Sequence, residues 1–131
     1  SRRQRQMCKE TDITQNAELL ETIGIFFPFI LAAILKSAQG SSTVALTTTA
    51  GIVAPILPFL GLDSPIRATL AVMAIGAGAM TVSHANDSYF WVVTNFGAMT
   101  PEKGYKTQTM ATLVLGLSGM LEIFILSLFL H

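Results

Sequence analysis

The 131 residues include eight acidic and eight basic side chains, so only 12% are charged while 51% are hydrophobic, and the mean hydropathy is +0.57. A soluble domain carries about 25% charged residues, so this chain has too little charge to cover a globular surface, and its balanced charge leaves no basic face for nucleic acid. Cys8 is the single cysteine, which excludes an internal disulfide, and without a zinc-type ligand cluster neither a metal nor a cofactor is expected.

Residues 1–16 are polar and hold Arg2, Arg3, Arg5 and Lys9. They read as a tail or loop that the basic excess places on the cytoplasmic side; an uninformative solvated tail is the competing reading. No cationic run leads straight into an apolar core, so a signal peptide is not expected. Residues 17–131 are predicted to be the membrane-embedded part. Glu18 and Glu21 suit the start of a helix, where carboxylates meet the positive end of the dipole. The uncharged run Ile23 to Leu35 falls short of the roughly 20 residues of a spanning helix. A crossing therefore recruits the flanks from Ala17 to Lys36, and Pro28 is expected to kink it.

Next comes a small, hydroxylated stretch, Gln39-Gly40-Ser41-Ser42-Thr43. Gly40 can break a helix or admit a close backbone approach, and Ser41, Ser42 and Thr43 favour the start of a new one. A discontinuous helix of this kind offers free N–H groups and a positive dipole end to an anion. The hydroxyls and the Gln39 amide suit a polyhydroxylated ligand. The competing reading is helix-on-helix packing by small residues, which is preferred for Thr47, Thr48 and Thr49.

Pro55 and Pro58 exclude a regular helix from Gly51 to Leu60 and predict a re-entrant hairpin arm or a broken helix. Gly61 to Ser64 reads as a turn. Ser64 as N-cap and Pro65 at the first helical position then start another helix, with Arg67 placed to snorkel to an interface. Its stripe Ala74-Ile75-Gly76-Ala77-Gly78-Ala79 lacks the third glycine of a dinucleotide fingerprint, since Thr81 stands there. The stripe predicts close helix packing instead.

The helix leads to Ser83-His84-Ala85-Asn86-Asp87-Ser88, a polar cluster between two apolar runs. In a bilayer an ionisable residue marks a functional site, and on a helix His84 and Asp87 would share a face, so imidazole and carboxylate could meet directly or through one water, which reads as a proton site. Equally open is a helix end at the membrane surface, where these residues cap the backbone and meet water. Tyr89-Phe90-Trp91 reads as an interfacial belt in preference to a cavity wall. Thr100 and Pro101 form another N-cap pair, and Glu102, Lys103, Gly104 and Lys106 read as a short polar loop on the cytoplasmic side. Thr109 to Leu130 is 22 residues with one charge, Glu122, and is the strongest candidate spanning helix. Glu122 is left outside the site.

Ala38-Gln39-Gly40-Ser41-Ser42-Thr43-Val44-Ala45 followed by Ser83-His84-Ala85-Asn86-Asp87-Ser88-Tyr89-Phe90-Trp91 resembles the C-terminal part of the gluconate permease family of bacterial proton symporters. The resemblance runs from about Glu18 to His131. It implies an all-α integral membrane protein, a multi-span helical bundle with a re-entrant or broken-helix segment, forming one part of an inverted-repeat transporter. The implied setting is the bacterial inner membrane, crossed several times, with the lipid bilayer and the rest of the carrier chain as partners; a homo-oligomer is left open. The implied activity is symport of a proton with gluconate or a related small sugar or hydroxy acid, with D-serine as a further candidate. Family members are several times longer, so a C-terminal portion with a half-built site is expected.

By that likeness Gln39, Gly40, Ser41, Ser42 and Thr43 would bind the substrate and be faced by His84, Asn86 and Asp87. The substrate carboxylate would meet N–H groups and hydroxyls around Gly40 to Thr43, while Gln39 and Asn86 contact its hydroxyls. Asp87, with or without His84, would carry the proton. Two readings of other classes remain. A membrane hydrolase would use a serine with His84 and Asp87, although no G-x-S-x-G pattern occurs. A non-transporting packing module would need only the small-residue stripe and the terminal helix.

Overall fold

Every regular element of the computed structural model is helical, and it describes residues 23–130. The expected tail over residues 1–16, Glu18, Glu21 and the N-terminal flank of the first crossing lie outside the described residues. Helix α1 (Ile23–Gln39) continues through Pro28, whose ring is fully buried. It stops at Gly40, where φ is +69°, a left-handed conformation that glycine adopts without strain. One residue later the chain starts again. Ser41 is extended, its hydroxyl accepts the Val44 N–H at 3.4 Å, and α2 (Ser42–Val53) follows.

The two prolines then act as expected. In place of a continued α-helix the chain makes two single 3-10 turns, Ala54–Ile56 and Pro58–Leu60, each opened by its proline within the first two positions. After the turn around Gly61, Ser64 caps α3 (Pro65–Met80) by accepting the Arg67 N–H at 3.4 Å, with Pro65 in the first turn. A seven-residue connection leads to α4 (Ser88–Phe96), and Thr100 with Pro101 opens α5 (Pro101–Gly104). The polar stretch Glu102 to Lys106, expected as a loop, is instead helical. A π-turn (Tyr105–Thr109) joins α5 to α6 (Met110–Phe129) in one helix of 29 residues.

Helix α3 is central, packing on α6 and α2 and also on α1. Leu70, Ala71 and Ala74 meet Ile25 and Phe29 of α1, Leu62, and Met120 and Ile123 of α6 in one core cluster, while Ile75 joins Ala32 and Val53 in a second. The small-residue stripe does what its composition predicts. A side chain at Gly78 would collide with the Phe29 carbonyl and come within 2.9 Å of the Ala32 Cβ, so glycine is what lets α1 lie against α3.

Outside this core the surface is oily. Ile23, Phe27, Ile30 and Ile34 line the outer side of α1, and Val114, Leu117, Leu121, Ile125 and Leu128 that of α6, at three- and four-residue spacing. The helix Pro101–Phe129 is long and apolar enough to cross a membrane, whereas α1, α2 and α3 are shorter apolar helices. Outward apolar stripes of this extent suit lipid or further protein, not water.

Candidate functional site

Residues 81–87, between α3 and α4, are not helical although Thr81, Ser83 and Asp87 are buried. Backbone groups withdrawn from water need partners, and here side chains from neighbouring helices supply them. Thr109 donates its hydroxyl to the Ser83 carbonyl at 2.6 Å, and the Ser83 N–H donates to the Thr112 hydroxyl at 3.0 Å. The Ala85 N–H donates to the Tyr105 hydroxyl at 3.3 Å, and the Trp91 indole N–H donates to the Ala85 carbonyl at 2.8 Å. Tyr105 and Thr109 bound the π-turn, a rare widening of the helix that is frequent at functional sites. Within this cradle Val82 is held at φ 55°, rare for a β-branched residue.

The cradle delivers Asp87. As N-cap of α4, its Oδ1 accepts the Tyr89 N–H at 3.1 Å. Its Oδ2 accepts both the Lys36 ammonium at 2.6 Å and the Ser83 hydroxyl at 2.8 Å. The two charged side chains are 1% and 8% exposed, respectively. Lysine is almost never this buried unless it is paired. Lys36, Ser42, Ser83, Asp87, Gln108 and Thr112 supply the polar lining of a cavity of about 380 Å³, with Met80 and Leu115 among its apolar walls. Small-molecule sites start at about 300 Å³, so the space suits a compact polar guest. It would meet one cation, one anion, several hydroxyls and a carboxamide.

The two sequence motifs do come together. Asn86 Nδ2 donates to the Ala38 carbonyl at 3.0 Å, and the Asn86 backbone lies directly against Gly40, with no room for a side chain there. Of the residues expected to bind substrate, Ser42 faces the cavity, whereas Ser41 is occupied in capping α2 and Gln39 and Thr43 are exposed. The Gly40 N–H is already committed to the Lys36 carbonyl at 2.8 Å, so it is not free for an anion.

His84 and Asp87 do not share a helical face, because the segment is a turn in which the Asp87 N–H donates to the His84 carbonyl at 2.8 Å. The carboxylate is taken by Lys36, Ser83 and the Tyr89 N–H, not by the imidazole, and His84 Nδ1 is buried without a hydrogen-bond partner among the described residues. This geometry also disposes of the hydrolase reading. Ser83 bonds to Asp87 directly, with no imidazole between them.

The sequence model for GntP family permeases matches residues 8–129. The chain belongs to that family. It is 37% identical over 104 residues to a gluconate permease of Pseudomonas aeruginosa, covering 79% of this chain and 22% of that protein. It is 40% identical over 93 residues to the inner membrane permease YgbN of Escherichia coli, covering 71% and 20%. It is also 38% identical over 91 residues to a low-affinity gluconate transporter of Escherichia coli, covering 70% and 20%. The chain thus spans about a fifth of the length of these curated relatives. No solved structure matches it.

For a GntP permease segment, the residues that sequence reasoning missed are those of the cavity itself: Lys36, Ser83, Gln108 and Thr112. Lys36 carried a signal, as the one cation closing an uncharged run immediately before the glycine motif, but it read as the flank of a crossing. Gln108 and Thr112 carried none that is visible without the π-turn. The aromatic trio divides: Tyr89 and Trp91 keep exposed faces, whereas Phe90 is turned inward. Phe90 is fully buried against Tyr105, ring centroids 4.9 Å apart, Trp91 ties the turn, and Tyr89 lines the cavity.

Proposed function

We propose that the complete carrier containing this chain is a proton-coupled symporter for gluconate or a related small sugar or hydroxy acid. It would cross the bacterial inner membrane several times, with α1 and α2 as a re-entrant or broken-helix element within an inverted repeat. Family membership supports permease activity, and the names of the relatives support a gluconate-like anion. The observation that carries the reading is the buried Lys36–Asp87 pair on a hydroxyl-lined cavity where the two motifs meet. Ionisable residues withdrawn from water inside a transporter mark substrate and proton pathways.

In this reading Ser42 binds the substrate together with the N–H groups of Ser42 and Thr43, which as the first residues of α2 have no intrahelical acceptor. Gly40 holds the two motifs in contact, and Asp87 carries the proton with His84 in the same turn. The test is uptake of labelled gluconate by proteoliposomes of the complete carrier under an acid-outside gradient. Accumulation that a protonophore abolishes is expected; uptake indifferent to the gradient would refute proton coupling.

A further inference from the structure

Resting on that symport reading, we propose that Lys36 is the residue on which proton and substrate are exchanged: it is bound by Asp87 when the site is empty and by the substrate carboxylate when Asp87 is protonated. The hydrogen-bond inventory leads there. Asp87 Oδ2 takes the Lys36 ammonium at 2.6 Å and the Ser83 hydroxyl at 2.8 Å, while Oδ1 takes the Tyr89 N–H. When a proton arrives on Oδ2, the Ser83 hydroxyl rotates from donor to acceptor and Oδ1 keeps its N–H, so the neutral acid stays fully bonded. Lys36 alone loses its partner. An ammonium 1% exposed and without a counter-anion is strongly unfavourable, and a carboxylate entering the adjoining cavity removes that penalty.

The coupling follows from charge alone. The empty site (Lys36 cation, Asp87 anion) and the loaded site (Lys36 cation, neutral Asp87, substrate anion) are both neutral. A proton without substrate leaves one unpaired positive charge, and substrate without a proton leaves one unpaired negative charge. Both half-loaded states bury a net charge and are disfavoured, so one proton and one carboxylate travel together. Among the described residues that line the cavity, the titratable groups beside Asp87 are Lys36 of α1 and Tyr89 of α4; His84 lies in the same turn as Asp87, and the last helix presents uncharged Gln108 and Thr112. Among the described residues, Lys36 is thus the only cation lining the cavity.

The experiment is direct binding of gluconate to the detergent-solubilised complete carrier by calorimetry at two pH values, with wild type, Lys36→Gln, Lys36→Arg and Asp87→Asn. Lys36→Gln is expected to weaken binding by about thirtyfold or more at either pH, the loss of a charged hydrogen-bond donor, and Lys36→Arg to restore part of it. Asp87→Asn imitates the protonated acid and keeps the N-cap, so it is expected to bind gluconate with no dependence on pH. Lys36→Gln binding within threefold of wild type overturns the inference, as does Asp87→Asn binding that still tightens on acidification. Proton-driven uptake by wild type, alongside either result, would leave the symport reading standing; a wild type that neither binds nor accumulates gluconate would remove both.

Discussion

Asn86 and Gly40 are locked together: the Asn86 backbone occupies the space that a Cβ at Gly40 would need, and its side chain donates to the Ala38 carbonyl at 3.0 Å. Gly40 is also left-handed, with φ +69°. Gly40→Ala therefore incurs a backbone penalty of about 1–2 kcal/mol and also forces the two motifs apart. Asn86→Ala loses one hydrogen bond, about 1 kcal/mol. Thermal melting of the solubilised complete carrier should rank them in that order, with Gly40→Ala clearly the more damaging.

A second prediction concerns the stability of the ion pair. Lys36→Ala leaves Asp87 a buried, uncompensated carboxylate and should cost about 3–5 kcal/mol, as breaking one side of a buried pair does. Neutralising both partners, Lys36→Met with Asp87→Asn, should cost less than the sum of the two single changes, because neither is then left charged and alone. A double-mutant cycle measured by denaturation checks this, and strict additivity would show that the pair is not coupled.

The backbone of residues 81–87 depends on side chains from two other elements, so loosening those should open it. Trp91→Phe removes the donor to the Ala85 carbonyl and Thr109→Val the donor to Ser83, each worth about 1 kcal/mol. In a Cys8→Ser, Ala85→Cys background, both changes should raise the rate of thiol labelling at position 85 over that of the background alone.

The helices and their ends were legible from sequence because their signals are local. Ser41 after Gly40, Ser64 before Pro65 and Thr100 before Pro101 sit where the capping residues predict. The polar stretch around Lys103 misread as a loop because composition alone drew it there; its position at the start of a long helix, one turn before the π-turn, makes it helical. The site was half legible. Asp87 stood out as an acid between apolar runs, but its partner Lys36 lies 51 residues away, and no periodicity within one element reports a contact made between two. A shared face for His84 and Asp87 needs a continuous helix, and the helix ends at Met80.

Linkage gives the sign of the pH dependence. If binding of the anion brings a proton onto Asp87, acidification must tighten binding, with affinity rising up to about tenfold per pH unit while that proton is still to be taken up. Calorimetry in buffers of different ionisation enthalpy should show one proton taken up per gluconate bound, and uptake of none would contradict exchange on Lys36.

The most direct test of proton coupling through the buried pair is to compare exchange with accumulation in proteoliposomes of the complete carrier bearing Asp87→Asn. With the acid replaced by an amide that cannot cycle its proton, counterflow of labelled against unlabelled gluconate should persist while accumulation driven by an acid-outside gradient disappears. Gradient-driven accumulation at the wild-type level would contradict the account, because the proton would then be travelling on another group.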